Sequence, residues 1–577
     1  MSAASATVRD APTASPSSAP SARPWAEWAV VALAVALFLS LALYHYRLPG
    51  LYYDEAADVV PAMQLLKGQP VTLQRGVGLH LFGHAFPVMI GDYWGVTSTY
   101  AVLPLFAIFG VGVLPLRLFP IAASALALVL TYLLGRRLFD GRSGALAALL
   151  LAGSPTFVFW SRVGIYVISE IVPIALGVML TYLAWRARPR RWLLALGAGL
   201  AGLGLTTKLL FGWCYIAVPV AYLALLGYDW LAAHRPAPRA FGVAHLRRYL
   251  ALRDARDAAT LAAGFLVGAF PVVYYNLLSR GSYYLLRANL GQTERGVNNR
   301  DLLGNLGQQA RELRVFLDGG FFWFLGRVYT NPAATTVTAL SVVGLALLTL
   351  LPEHTRQRRT LLFLAVYAAT LFLLSCFSIS ILAATHLFIL LPLPQLAVAA
   401  CGVLGARSLA LRLPARPAWL ARAGPAVGLV ALLLFVGLDL RADLRYHQVL
   451  ARTGGSFTFS SAIYPLADYL DAHTITQPYA LDWGVRANVQ LLTAGRVTPQ
   501  ELHALPLSPD GAFDAAVAAT LREREPFFIT QTAPGGDAAR LARLQQLVAT
   551  AGRQVELVEV FRGRDSAPAY ELYRVLP

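Results

Sequence analysis

The chain has 577 residues, 57% of them hydrophobic and 14% charged, and its mean hydropathy is +0.56. This composition excludes an ordinary soluble globular protein and predicts a polytopic α-helical membrane protein. The net charge of +17 comes from arginines grouped between apolar runs, as in RRLFDGR and RARPRR. Because that pattern fixes the topology of membrane segments, we expect no binding of nucleic acid.

The N-terminal segment has two parts. Residues 1–24 are rich in Ala, Ser and Pro, which predicts a disordered tail. The apolar run from Trp28 to Tyr44 is long enough to span a membrane and has no convincing cleavage site. We therefore interpret it as an anchor and not as a removed signal peptide, with the tail on the cytoplasmic side.

An acidic cluster follows this first span, in a predicted outer loop of residues 46–116. The stretch LPGLYYDEAADVVPAMQLLKG contains Asp54, Glu55 and Asp58. Acids at a membrane boundary are costly unless they are solvated or paired, which favours a functional interpretation. The alternative is that Asp54 only caps the short helix that follows.

The number of spans depends on how residues 99–112 are interpreted. An apolar helix from Tyr100 to Gly110 covers about 16 Å, well short of a ~30 Å hydrocarbon core, so we place it on the membrane surface. The arginine-rich short loops, among them residues 235–256, then all lie inside. The eleven predicted spans are residues 28–44, 116–134, 143–160, 168–185, 192–206, 209–226, 258–277, 333–351, 360–376, 386–404 and 424–440.

A second long outer loop is predicted at residues 278–331. Apolar residues recur in it at helical spacing between Leu302 and Phe316, before the aromatic block FFWF. This pattern predicts an amphipathic helix on the outer membrane surface. A helix that closes over a substrate is the alternative.

The C-terminal residues 441–577 change in character. The segments ALDWG, PFFIT, QVELVEVF and AYELYRVL resemble short strands, with helical patterns at 461–473, 512–523 and 537–551. They predict a small α/β domain whose last two strands form a hairpin. The membrane module comprises residues 25–440. Because its N-terminus is predicted to be cytoplasmic and its number of spans is odd, the domain that follows it is predicted to be extracytoplasmic. No catalytic motif stands out in it, so we expect a structural or acceptor-docking role.

Polar residues from several predicted outer loops share one membrane side. A carboxylate that accepts a proton beside cations that hold an anion suits sugar transfer from a phosphate-linked lipid. A solvated loop surface is the alternative interpretation. The candidate catalytic acids are Asp54, Glu55 and Glu170, and the candidate phosphate-binding residues are Lys208, Arg162, His386, His80 and His84.

Three of these candidates lie at predicted turns between spans. Lys208 interrupts the apolar stretch LGLTTKLLFGW and is either a phosphate contact or a turn residue that reaches water. Arg162, in FWSRVGIY, has the same two interpretations. Glu170 lies eight residues further on and is either a second acid or the partner of Arg162, because an unpaired carboxylate there is costly.

The histidines and cysteines give weaker indications of a ligand site. His80 and His84 are four residues apart and would share one helical face, as metal ligands or as ordinary hydrogen-bonding side chains. His386 opens a predicted span at its outer end. The three cysteines have no metal-ligand spacing. We therefore predict no zinc site, no disulfide framework and no required cofactor, with a divalent metal left open.

Taken in order, YYDEA, FAIFG, the segment LPLRLFPIAASALALVLTYLLGRRLFDGRSGALAALLLAGSP and WSRVG resemble the C superfamily of polyprenyl-phosphate-sugar-dependent glycosyltransferases. The protein O-mannosyltransferase and aminoarabinose transferase group, glycosyltransferase family 39-like, is the most similar. The resemblance covers about the first 230 residues. It implies that Asp54 activates the acceptor, with Glu55 in the same motif, and that Arg162, Glu170 and Lys208 occupy donor-binding turns.

One departure from this family pattern concerns the start of the surface helix. Where many relatives have a basic residue, this chain reads GVTSTY, with Thr97, Ser98 and Thr99. The resemblance leaves open how the lipid phosphate is held. Lys208 or a histidine is the expected substitute.

The resemblance implies inverting transfer in a bacterial inner membrane, with a multi-pass chain surrounded by membrane lipids. The partners would be a polyprenyl-phosphate sugar as donor and a protein, lipid or glycan as acceptor. Two other classes remain. A transporter or flippase of lipid-linked glycans would be expected to show paired repeats and charged or broken helices, and no repeat is visible. A glycan-binding assembly protein is the third.

Overall fold

The computed structural model describes residues 24–164, 169–233, 250–412, 418–507, 511–532 and 536–577. The predicted tail, apart from Pro24, and most of the predicted inner loop 235–256 lie outside these residues. The helices of the membrane module are α1 (Pro24–Leu43), α2 (Tyr53–Ala57), α3 (Val60–Lys67), α4 (Thr97–Phe109), α5 (Val113–Leu138), α6 (Gly141–Ala152), α7 (Pro155–Arg162), α8 (Ile171–Ala187), α9 (Arg191–Thr207), α10 (Gly212–Ala233), α11 (Ala255–Ser279), α12 (Gly281–Asn289), α13 (Leu302–Asp318), α14 (Ala334–Leu348), α15 (Thr355–Leu374), α16 (Leu393–Arg412) and α17 (Ala418–Thr453).

Four short strands lie in the first outer loop and five in the C-terminal region, with four helices among the latter. The strands are β1 (Gly78–Leu81), β2 (His84–Pro87), β3 (Met89–Gly91), β4 (Trp94–Gly95), β5 (Tyr479–Ala480), β6 (Gln500–Glu501), β7 (Phe527–Gln531), β8 (Gln554–Arg562) and β9 (Pro568–Leu576). The helices are α18 (Ile463–Ala472), α19 (Arg486–Leu492), α20 (Ala512–Thr520) and α21 (Ala538–Thr550).

Long apolar helices dominate the first part of the chain. Within the described residues, six helices are long and apolar enough to cross a membrane, or seven if one bent pair counts as a span. The predicted count of eleven is not confirmed, because α8, α9 and α14 have only 17, 17 and 15 residues and α17, which contains the predicted span 424–440, is not among the six. The six are Pro24–Leu43, Val113–Leu138, Leu209–Leu231, Ala255–Ser279, Gln357–Leu374 and Leu393–Arg412.

The bent pair replaces the continuous span predicted at residues 143–160. Helices α6 and α7 meet at an angle of 62°. Pro155 is the first residue of α7, and Ser154 before it is extended, with φ −73° and ψ 121°. Since a residue before proline avoids the helical conformation, the sequence itself breaks the helix here.

Helix α4 coincides with the segment that we expected to lie on the membrane surface. Its 13 residues measure about 20 Å, which is too short for a ~30 Å core. Its place on the membrane surface stays a prediction.

The predicted amphipathic helix is present as α13. Its Asn305 and Gln309 are buried and donate hydrogen bonds to the carbonyl oxygens of Cys376 (3.1 Å) and Ser375 (2.8 Å) just beyond the end of α15. These bonds satisfy carbonyl groups that a helix end leaves without partners. At the start of α13, Leu303 is 80% exposed. The helix thus turns polar side chains inward, and its position on the membrane surface stays a prediction.

The C-terminal strands form one five-stranded mixed sheet in the order β6-β5-β7-β9-β8. Strand β5 is parallel to β6 and β7, whereas β9 is antiparallel to β7 and β8. The predicted helices are present as α18, α20 and α21, and the predicted closing hairpin is β8–β9. The location of this region outside the cytoplasm stays a prediction.

The C-terminal sheet and the first outer loop share one hydrophobic core. Gly50 N–H donates to the Phe459 carbonyl (2.8 Å), and the Asn488 side chain donates to the Leu51 carbonyl (2.8 Å). The C-terminal region therefore packs directly on the loop that carries the acidic cluster. Buried members of the core include Leu51, Ala56 and Met63 from the loop and Ile463, Leu466, Val489 and Leu572 from the C-terminal region.

Candidate active site

Asp54 lies in the first turn of α2 and is partly buried. The N-cap position of this helix is Tyr52, whose backbone N–H donates to Glu55 Oε1 at 2.8 Å. A glutamate that reaches back to the cap in this way satisfies a helix-end donor. The interpretation of Asp54 as the helix cap is therefore wrong, because Glu55 closes the cap.

Glu55 also forms a buried ion pair with Arg117 of α5. The Oε1–Nη2 distance is 2.6 Å, and neither side chain reaches solvent. Arg117 further donates to the carbonyl oxygens of Tyr46 (2.7 Å) and Pro49 (3.0 Å). Glu55 therefore fastens α2 to α5, and its catalytic role stays a prediction.

Lys208 lies opposite the acidic cluster, at the end of α9. Its extended backbone bridges to Trp94 of β4, and Leu209 N–H donates to the Tyr93 carbonyl at 3.0 Å. The ammonium nitrogen is 5.7 Å from the centre of the Tyr93 ring. Burial lowers the pKa of Lys208 to about 8, although the negative charges of Asp54 and Asp58 favour its charged form and act in the opposite direction.

Two cationic side chains influence the pKa of the Asp54 carboxyl group. Burial raises the pKa of Asp54, and the positive charges of Lys208 and Arg295 oppose that rise. Arg295 is an exposed residue of the second outer loop, between α12 and α13. We had not predicted it as a site residue, because the distance in sequence hides its approach to Asp54. The only indication was the expectation that this loop could close over a substrate.

Asp58 is a second carboxylate beside Lys208. The Trp94 indole N–H donates to its Oδ1 at 3.0 Å, while its buried Oδ2 has no hydrogen-bond partner among the described residues. Burial raises its pKa well above the usual range, and the charges of Asp54 and Glu170 add to that rise. Asp54 and Asp58 thus present two acids to one lysine.

The hydroxyl groups of GVTSTY connect the start of α4 to three other elements. Thr97 shares a hydrogen bond with Thr207 (2.9 Å), and Thr99 donates to the Asp58 carbonyl (2.6 Å). Ser98 donates to the Glu170 carboxylate. The hydroxyls at the start of α4 therefore hold Asp58 and Glu170 in place.

The expected pairing of Arg162 with Glu170 is wrong. Arg162 is fully buried at the end of α7 and donates to the carbonyl oxygens of Tyr44 (2.6 Å) and His45 (2.8 Å). Its other terminal nitrogen lies 3.2 Å from His447 Nδ1. Arg162 thus anchors the chain just after α1, and a role in phosphate binding stays a prediction.

The three candidate histidines have different surroundings. His80 and His84 lie on opposite strands of the β1–β2 hairpin and are both exposed, so the shared helical face is wrong. The turn between the strands is Phe82-Gly83, with φ of 54° and 76°, as a tight hairpin turn requires. His386 is buried against Trp213, with ring centres 6.2 Å apart, in the 3-10 segment Ala384–Leu390. No group of three metal-ligating residues occurs in the described ranges.

Comparison with known proteins gives matches in sequence. A family model described as dolichyl-phosphate-mannose-protein mannosyltransferase matches residues 98–244. An undecaprenyl phosphate-alpha-4-amino-4-deoxy-L-arabinose arabinosyl transferase of Pseudomonas aeruginosa (strain UCBPP-PA14) is 28% identical over 229 residues. This match covers 36% of the present chain and 37% of that relative. The chain therefore matches little more than a third of the relative's length.

Solved structures match over a larger part of the chain. ArnT from Cupriavidus metallidurans bound to undecaprenyl phosphate has a TM-score of 0.55 at 14% identity, covering 96% of this chain and 98% of that one. The oligosaccharyltransferase AglB of Archaeoglobus fulgidus, in complex with an inhibitory peptide and a dolichol-phosphate, has a TM-score of 0.53 at 15% identity, covering 87% and 69%.

The protein therefore shares its fold with ArnT and AglB, and its described residues include six helices that are long and apolar enough to cross a membrane. The sequence resembles the aminoarabinose transferases and the dolichyl-phosphate-mannose mannosyltransferase family. The resemblance inferred from YYDEA, FAIFG and WSRVG is thus confirmed.

Proposed function

We propose that the protein transfers a sugar from a polyprenyl-phosphate-linked donor to an acceptor, with inversion at the anomeric carbon and Asp54 as general base. What supports this proposal is the electrostatic effect of Lys208, at the end of α9, and of Arg295, in the loop between α12 and α13, on the pKa of Asp54. A base beside two cations suits a reaction that removes a proton and releases an anion.

In the proposed reaction, Asp54 takes the proton of an acceptor hydroxyl or amine. The acceptor oxygen or nitrogen forms a bond with the anomeric carbon while the bond from that carbon to the phosphate oxygen breaks. The electron pair leaves with polyprenyl phosphate, whose charge is stabilised by Lys208 and Arg295. A carboxylate with a raised pKa is the stronger base for this step.

The proposal requires no metal ion. A monophosphate leaving group carries less charge than a diphosphate, so two fixed cations supply the stabilisation that a metal provides elsewhere. We infer the lipid class of the donor from similar structures, because the ArnT structure contains undecaprenyl phosphate and the AglB structure contains a dolichol-phosphate. The acceptor class proposed is a protein, lipid or glycan at the outer face of the bacterial inner membrane.

Two further site residues belong to the proposal. Glu170, held by Ser98, would serve as a second acid that adjusts the charge around Asp58. His386, buried within the electrostatic range of Lys208, would line the donor site. His80 and His84 lie on the exposed β1–β2 hairpin and do not share a helical face. Their proposed role is contact with the headgroup of the bound lipid donor.

The test is transfer by the purified full-length protein, supplied with a panel of labelled polyprenyl-phosphate sugars. We expect Asp54→Asn to abolish product formation while the expression level and unfolding temperature are kept. Asp468→Asn is the matched control, because Asp468 is an exposed acid of α18. Retained turnover in Asp54→Asn would show that this carboxylate is not the base. Movement of intact donor between leaflets without a product would favour the flippase instead.

A further inference from the structure

A cavity of about 500 Å³ lies away from Asp54, between the chain that follows α1 and the C-terminal sheet. Its walls come from residues 45–48, from α18 with the residues just before it, and from the end of β8. We propose that this cavity binds the phosphate group of an anionic ligand. The inference does not depend on the proposed transferase reaction.

The lining of the cavity carries a concentrated positive charge. Arg47, Arg562 and Arg564 all face it, and no carboxylate is among the lining residues. None of the three takes part in an ion pair within the described part of the chain. The adjacent Asp565 instead accepts a hydrogen bond from the Ala567 backbone at 3.1 Å. Three arginines gathered without acids are suited to an anionic partner.

Contacts with the protein hold the guanidinium groups in position. The Arg47 guanidinium lies 4.8 Å from the centre of the Tyr464 ring, and the Tyr464 hydroxyl donates to the Arg47 carbonyl at 2.7 Å. Arg564 donates to the Ala451 carbonyl at 3.2 Å.

Arg562 is fixed in the same way, by donating to the Ser566 carbonyl at 3.1 Å. Each guanidinium has five N–H donors, and these contacts use one donor each of Arg562 and Arg564. The remaining donors match the paired oxygens of a phosphate.

The position of the cavity narrows the choice of ligand. Residues 45–48 come shortly after α1, a helix long and apolar enough to span a membrane, so we expect the cavity to lie at the level of the lipid headgroups. A neutral sugar would leave the three positive charges uncompensated. A phosphate monoester or diester, either on a lipid or on a soluble molecule, supplies the missing charge.

The cavity is also linked to the acidic cluster. Arg117, the partner of Glu55, donates to the carbonyl oxygen of Tyr46, which lines the cavity, and to that of Pro49, just beyond the lining residues 45–48. A ligand held by Arg47 would therefore fix the segment that leads into α2 and Asp54. The site is separate from the proposed catalytic one, yet it shares a wall-forming segment with it.

The experiment measures ligand binding to the purified full-length protein in neutral detergent. The probes are short-chain phosphatidic acid, for a lipid phosphate, and inorganic phosphate, for a free one. We expect the triple variant Arg47→Gln/Arg562→Gln/Arg564→Gln to bind at least about tenfold more weakly, because charge-assisted hydrogen bonds are lost. The matched control is Arg452→Gln, since Arg452 is exposed near the end of α17 and does not line the cavity.

The probe whose binding is lost identifies the source of the phosphate. A loss confined to phosphatidic acid supports a lipid ligand, and a loss with inorganic phosphate supports a soluble one. If the triple variant fails to fold, the single variants Arg47→Gln and Arg562→Gln are measured, each with an expected loss of about threefold or more. Binding that is unchanged in the variants, or undetectable in the natural protein, would overturn the proposal.

Discussion

Glu55 and Arg117 form a solvent-excluded ion pair, with 2.6 Å between Oε1 and Nη2, that joins α2 to the first residues of α5. The same glutamate closes the N-terminal cap of α2. The helix that carries Asp54 is therefore oriented by its neighbouring residue. This relationship separates two adjacent acids into one that orients the site and one that is available for chemistry.

Glu55→Gln should destabilise the protein strongly. Removing one charge of a buried pair leaves the other without compensation, which costs about 3–5 kcal/mol. The measurement is the free energy of unfolding in detergent. The exposed pair of Asp471 with Arg496 provides the control, and Asp471→Asn should cost at most about 1 kcal/mol. Equal losses in the two variants would contradict the role assigned to the buried pair.

Lys208 should impose an upper pH limit on activity. Its pKa lies at about 8, so its ammonium group is present below that pH and is lost as the pH rises through it. If the ammonium stabilises the leaving phosphate, kcat/KM of the free enzyme should fall above pH 8. In Lys208→Arg this decline should move beyond the measured range, because a guanidinium stays charged.

Lys67 provides the control for that pH profile. It is the other lysine of the chain and is exposed at the end of α3. Lys67→Arg should leave the profile unchanged. If kcat/KM of Lys208→Arg still declined near pH 8, the decline would come from the titration of another group.

Gly95 should be intolerant of a side chain, because β4 lies against the end of α9. A Cβ added there would lie 2.3 Å from the Thr206 carbonyl oxygen, so the backbone of one element must move. We expect Gly95→Ala to displace the bridge between Trp94 and Lys208, lowering kcat/KM roughly tenfold or more. Gly227→Ala is the control, since no atom lies within 4 Å of its added Cβ. Full activity of Gly95→Ala would show that this contact does not position Lys208.

The local parts of the site were predictable from the sequence, and the long-range parts were not. The acids of YYDEA and the lone Lys208 stand out because charge is rare in an apolar chain. Arg295 and the arginines of the basic cavity do not, because arginine is common in this sequence and nothing local distinguishes them. Of the two alternatives for Glu170, the structure does not bear out pairing with Arg162, because Arg162 donates to the Tyr44 and His45 carbonyls and Glu170 accepts from Ser98.

The fold shows the same division. Periodicity and hydropathy predicted α13, the C-terminal hairpin and most apolar helices. The count of eleven spans is not confirmed, because α8, α9 and α14 have 15 to 17 residues, at or below the short end of the lengths that cross a membrane. The core shared by the C-terminal region and the first outer loop was not predicted, because it joins residues more than 300 positions apart in sequence, such as Leu51 and Ile463.

That shared core predicts that the C-terminal region supports catalysis without supplying a reacting group. The Tyr52 ring stacks on Phe459, with centres 4.2 Å apart, and Tyr53 packs on Trp483 at 4.7 Å. Both tyrosines directly precede Asp54, so Trp483→Ala should loosen the base and lower kcat roughly tenfold, with KM for the lipid donor nearly unchanged. Trp483→Phe keeps an aromatic contact and should restore most of the rate. A rise in KM with an unaltered kcat would instead place Trp483 in substrate binding, against the positioning role that the packing on Tyr53 indicates.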